Sequence, residues 1–150
     1  MKKTYPIYLI LTLGIFALGI WFARGQYLLF FDPPSMMIVF LPMLFMLLTC
    51  NSPVEIINSF KTAMIDTATD IKEVKQALVI METAQALTYK IAILAFMFGF
   101  VLMMVSDFKI EQYGRGFATA ILGVVYALFA VIMVTMPFKM ALKKKLIDLE

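Results

Sequence analysis

Few side chains in this sequence could do chemistry, and where they sit limits what that chemistry is. The 150 residues include no histidine, one cysteine and no glycine-rich loop of the kind that cradles phosphate. Asp66, Asp70, Glu73 and Glu82 fall in a stretch shared with Lys72 and Lys75. That is the pattern of a solvated helical face, not of a carboxylate pair in a cleft. Cys50 alone builds neither a disulfide framework nor a thiolate metal site, and reads as a small apolar filler near a helix end. Hydroxyls remain: Thr12, Thr49, Thr119, Tyr126 and Thr135 within long apolar runs, with Thr88 and Ser106 near the ends of one. A threonine in a membrane helix usually satisfies itself on the carbonyl three or four residues back. Thr119 stands apart because it borders a stripe of small residues, where it could line a channel or touch a partner. The expected chemistry is contact with an ion or another helix; no enzyme activity, cofactor or metal centre is expected.

The elements that must position these groups follow from composition. The chain is 63% hydrophobic and 15% charged, where a soluble domain would be about half apolar and a quarter charged. Its formal charge of +3 is too small to suggest nucleic acid. Four runs free of charge, 5–23, 33–50, 91–106 and 116–138, are each near the length needed to cross hydrocarbon as a helix. The first is longer than a signal peptide's apolar core and lacks a clean cleavage site, so a retained span is expected. Ten lysines (2, 3, 61, 72, 75, 90, 139, 143, 144 and 145) lie on one side of the spans, against Arg24, Lys109 and Arg115 on the other. The positive-inside rule then predicts both termini in the cytoplasm. The expected fold is an all-α membrane protein with four transmembrane helices, N-in/C-in, forming a single domain.

The segment 51–90 is predicted to be a cytoplasmic helical region. Asn51-Ser52-Pro53 marks a helix start, followed by Val54, Ile57 and Phe60 at helical spacing. Asp70 with Glu73 three residues on suggests a second N-cap. The helix it opens places Val74, Ala77, Leu78, Met81, Ala84 and Thr88 on one side and meets no breaker before span three. One helix of about 37 residues, roughly 55 Å long, is expected from Asp70 to Ser106. The last two membrane helices are thus expected to extend into the cytoplasm.

Helices in lipid associate through close packing of small residues, since no oil-from-water transfer drives them together. Span four carries Gly116, Ala120, Gly123, Ala127 and Ala130 at spacings of 4, 3, 4 and 3; span three carries Thr88, Ala92, Ala95, Gly99, Leu102 and Ser106. Each is a heptad-like seam on one helix face. Spans three and four are expected to form a tightly packed inner pair, with spans one and two facing lipid. The seams either pack the chain's own hairpin or line an assembly. No Asp, Glu, Lys, Arg or His lies within the spans, which excludes a lone proton-coupled transporter needing an acid at depth.

The layout resembles the MotA/TolQ/ExbB family: two spans, a cytoplasmic segment, then two longer helices. Phe31-Asp32-Pro33-Pro34-Ser35-Met36-Met37-Ile38-Val39 is similar to the stretch entering span two of MotA-like proteins, and Asn51-Ser52-Pro53-Val54 to its exit. The run from Gly116 to Tyr126 is similar to the start of their fourth span. The resemblance implies a homo-oligomer, a pentameric ring in the inner membrane. The ring would surround single-span partner helices of the MotB/TolR/ExbD type that carry a membrane aspartate. It also implies that Ala95, Gly99, Phe100, Gly116, Thr119, Ala120, Gly123 and Ala127 face the pore or the partner. The chain departs from the family at Phe40-Leu41-Pro42, where glycines are common, and at Phe100 and Gly123-Val124, where threonines are. The short loop argues against a flagellar torque role. The expected function is a short MotA-like subunit of an ion-driven channel, with a non-conducting scaffold of the same architecture as the alternative.

Overall fold

A computed structural model describes residues 5–22, 30–65, 70–105 and 110–149. All regular structure among them is helical: α1 (Tyr5–Phe22), α2 (Pro33–Cys50), α3 (Pro53–Met64), α4 (Ile71–Val105), α5 (Ile110–Ala130) and α6 (Met136–Leu149). A π-helical turn, Val131–Thr135, joins α5 to α6 with helical backbone on both sides, so the two form one rod. Among the described residues, four helices are long and apolar enough to cross a membrane: α1, α2, α4 and the α5–α6 rod. This is the architecture of a multi-pass membrane protein. Lys2, Lys3, Arg24, Asp66, Ser106 and Lys109 lie outside the described residues, as does the side chain of Arg115.

Local sequence explains where the helices begin. The Asp32 carboxylate accepts the Ser35 N–H at 3.3 Å, and Pro33 and Pro34 occupy the first turn of α2, where no N–H is needed. Asn51 closes α2, its side-chain amide donating to the Leu47 carbonyl at 3.0 Å. One residue on, Ser52 and Glu55 form a reciprocal capping box that opens α3: the Ser52 N–H donates to Glu55 at 2.7 Å, and the Glu55 N–H to Ser52 Oγ at 3.3 Å. At the start of α4 the Asp70 carboxylate accepts the Lys72 N–H at 3.3 Å. The helix then runs unbroken for 35 residues, about 52 Å.

Two packed regions result. At the polar end, α3, α4 and α6 enclose Ala63, Val74, Ala77, Met81, Phe138 and Leu142, with Tyr5, Phe60 and Leu78 against them. The face expected on α4 is the one that turns inward: Val74, Ala77, Met81, Ala84 and Thr88 are all buried, and Leu78 is half-buried. In the apolar half, α2, α4 and α5 meet around Val39, Ala92 and Ala127. Apart from Tyr5, α1 lies outside both, and none of its residues is buried.

Span two differs from expectation. It was expected to face lipid with span one, but it buries Ser35, Val39 and Leu47 against the inner pair. Their spacing carries one side of α2 onto α5, where the Val39 side chain sits over Gly123 and would be 3.5 Å from a Cβ added there.

Candidate functional site

The two small-residue seams face each other within the chain. Going down the antiparallel pair, Met103 meets Gly116, Gly99 meets Ala120, and Ala92 lies with Ala127. The contact is tightest at Gly99, where an added Cβ would stand 2.9 Å from the Ala120 Cβ and 3.4 Å from its Cα. Only the missing side chain lets the helices approach this closely. At Gly116 an added Cβ would meet the Met103 Sδ at 3.2 Å. The open choice between an internal hairpin and an assembly surface is thus filled, for most of the seam, by the chain's own helices.

The eight residues expected to face a pore or partner therefore divide. Ala120, Gly123 and Ala127 are buried between helices, Ala95 packs beside Val39 and Ala92, and Gly99 and Gly116 lie against α5 and α4 respectively. Thr119 and Phe100 are exposed. Phe100 stacks with Phe96, and Phe96 meets Phe117 edge-on, each pair with ring centroids 6.4 Å apart. Phe100 thus belongs to an aromatic group, while Thr119, two residues on from Phe117 along α5, projects from a different face of that helix.

Four threonines bond within their own helices. Thr12, Thr49, Thr88 and Thr135 donate to the carbonyls of Tyr8, Met46, Ala84 and Val131, each three or four residues back, at 2.6–3.3 Å. Tyr126 works across helices instead. Its hydroxyl accepts the Asp32 N–H at 2.8 Å and donates to the Phe30 carbonyl at 2.7 Å, tying α5 to the entry of α2. Beside it, Ser35 Oγ donates to the Asp32 carboxylate and lies 3.3 Å from the Thr119 carbonyl. One polar knot thus anchors α2 on α5, and its sequence signals are the tyrosine in span four and the Asp-Pro-Pro-Ser cap.

Charged groups gather at the polar end. Glu82 faces Lys143 at 3.2 Å and Lys139 at 3.4 Å, joining α4 to α6. Lys139 also donates to Gln85 at 3.2 Å, and the Lys145 ammonium donates to the Thr62 and Ile65 carbonyls at the end of α3. Lys143, bonding its carboxylate, holds Glu82 below the ordinary carboxylate range, with Lys139 adding to the effect. Glu55 is lowered by the backbone N–H and hydroxyl of Ser52, with a smaller contribution from Gln76. A groove of about 330 Å³ between α3 and α4 is lined by Glu55, Ser59, Thr62, Glu73 and Gln76 among others. None of these groupings forms a metal-ligating cluster among the described residues.

No protein-family model matches the chain, and no curated protein matches it.

Proposed function

We propose that this chain is a membrane subunit of a stator-like, ion-driven oligomeric channel of the MotA/TolQ/ExbB type. It sits in the inner membrane with both termini and the polar end in the cytoplasm, and copies form a ring, taken as a pentamer, around single-span partner helices. The observation that supports this reading is the inner pair itself: two helices that cross the apolar zone, pack through Gly99 and Ala120, and continue beyond it onto α3. Such a pair is a closely packed wall, and its outward surface, not its seam, is left to meet a partner. Thr119 and Phe100, on different faces of the pair, are then contacts to partner helices, and the carboxylate that takes up the ion belongs to the partner.

A non-conducting scaffold is the second reading, and the aromatic group Phe96, Phe100 and Phe117 favours it, since it makes the outer surface around Phe100 less polar. Purification with the partner, determination of particle symmetry and ion flux in liposomes separate the two. A ring whose flux needs the partner, and falls at least severalfold in Thr119→Val, supports the channel. A ring without flux supports the scaffold. A monomer in detergent and in lipid overturns both.

A further inference from the structure

Pro137 lies inside the α5–α6 rod, one residue past the start of α6. An α-helix pairs the N–H of residue 137 with the carbonyl of Met133, and proline has no N–H to give. Immediately before it the rod widens into the π turn, with the Met136 N–H on the Val131 carbonyl. Proline and π turns are the places where helices bend. A backbone carbonyl deprived of its partner in apolar surroundings needs another donor.

The donor comes from the far end of the sequence. The Tyr5 hydroxyl, at the first residue of α1, donates to the Met133 carbonyl across 128 residues of chain. Its ring meets Phe138, the residue after the proline, edge-on with centroids 5.9 Å apart; Phe138 in turn meets Phe60 of α3 at 5.1 Å. Elsewhere α1 holds the rod loosely. Phe16 touches Phe129 at 4.9 Å, and an apolar crevice of about 200 Å³ opens between the helices, lined by Phe16, Leu128, Ile132 and Met133 among others.

The π turn also joins the two packed regions. Above it α5 belongs to the seam with α4 and α2; below it α6 is fixed to the polar end by Phe138, Leu142 and the lysines on Glu82. We propose that Tyr5 is the latch of a hinge at Val131–Pro137: its hydroxyl replaces the hydrogen bond that Pro137 removes. α1 thereby sets how stiffly the polar end follows the membrane half. The latch stands independently of whether the chain conducts ions.

Hydrogen–deuterium exchange on the full chain in nanodiscs tests it as a double-mutant cycle. Tyr5→Phe keeps the ring on Phe138 and removes only the donor. Exchange across residues 134–140 is expected to rise about fivefold, the worth of one net hydrogen bond, with α3 unchanged. Pro137→Ala restores the N–H to Met133, so adding Tyr5→Phe in that background should change exchange there by less than about twofold. An equal rise in both backgrounds, or none in the natural one, overturns the latch. If Pro137→Ala does not fold, a Phe16→Cys/Phe129→Cys pair in a Cys50→Ser chain reports the position of α1. Tyr5→Phe should lower its cross-linking yield at least threefold, and an unchanged yield overturns the proposal.

Discussion

At the polar end, α3, α4 and α6 close over Val74, Met81 and Leu142, each almost wholly buried, and charged side chains ring the contact. In the apolar half, α4 and α5 meet through Gly99 and Ala120 while leucines, methionines and phenylalanines of the same helices point outward. One helix, α4, takes part in both, so the contrast lies in surroundings and not in secondary structure. Where polar residues ring the contact, burying large apolar side chains stabilises it, and caps and ion pairs finish the edges. Where the surroundings are themselves apolar, burying a leucine gains little, and contact comes from backbones brought close by small residues. Bulk inside and small residues inside are two answers to the same packing problem, one where polar residues ring the contact and one where apolar residues do.

Substitutions that exchange the two answers sharpen this contrast. Met81→Ala, emptying the largest fully buried site of the polar end, has the largest expected effect: about 2–5 kcal/mol of lost stability. Chemical unfolding in detergent checks it, and a loss below that range would mean the polar end is not held by burial. Next comes Gly99→Ala, whose new methyl has to push back both the Ala120 side chain and its backbone, at about 1–3 kcal/mol. Gly123→Ala, which meets only the tip of Val39 at 3.5 Å, should stay within about 0.5 kcal/mol of the parent. If these two alanines behave alike, the close approach at Gly99 is not what holds the seam. Ser52→Ala, removing half of the capping box, is expected to cost about 1 kcal/mol and to raise amide exchange at the start of α3 alone.

The smallest effect is electrostatic. Glu82 and Glu55 both sit below the ordinary carboxylate range when folded. Each therefore adds stability that is fully present above that range and is lost as pH falls through the lower folded value. A melting midpoint followed from neutral to acidic pH should drop, and Lys143→Met should flatten the part of the drop due to Glu82. Both carboxylates are solvent-exposed, so the change is modest.

Much of this was legible in the residues. Charge-free runs determined how many helices are long and apolar enough to cross a membrane, because lipid leaves the backbone no alternative to internal hydrogen bonds. Asn51-Ser52-Pro53 and Asp70 marked the starts of α3 and α4 by cap chemistry, which acts within three residues of itself. The 3- and 4-residue spacing of glycine and alanine showed which faces of α4 and α5 are made for close approach, and the apolar face from Val74 to Thr88 which side of α4 turns inward.

What the sequence left open was where those faces point, because spacing names a face and not its neighbour. The tertiary structure seated each seam on the other, turned Thr119 and Phe100 outward and drew α2 onto the pair through Val39, Ser35 and the Tyr126 hydroxyl. It also brought Tyr5 to the carbonyl that Pro137 leaves without its helical donor. A proline announces a missing hydrogen bond locally, but the group that replaces it comes from the far end of the chain, and only three-dimensional packing decides which one is within reach.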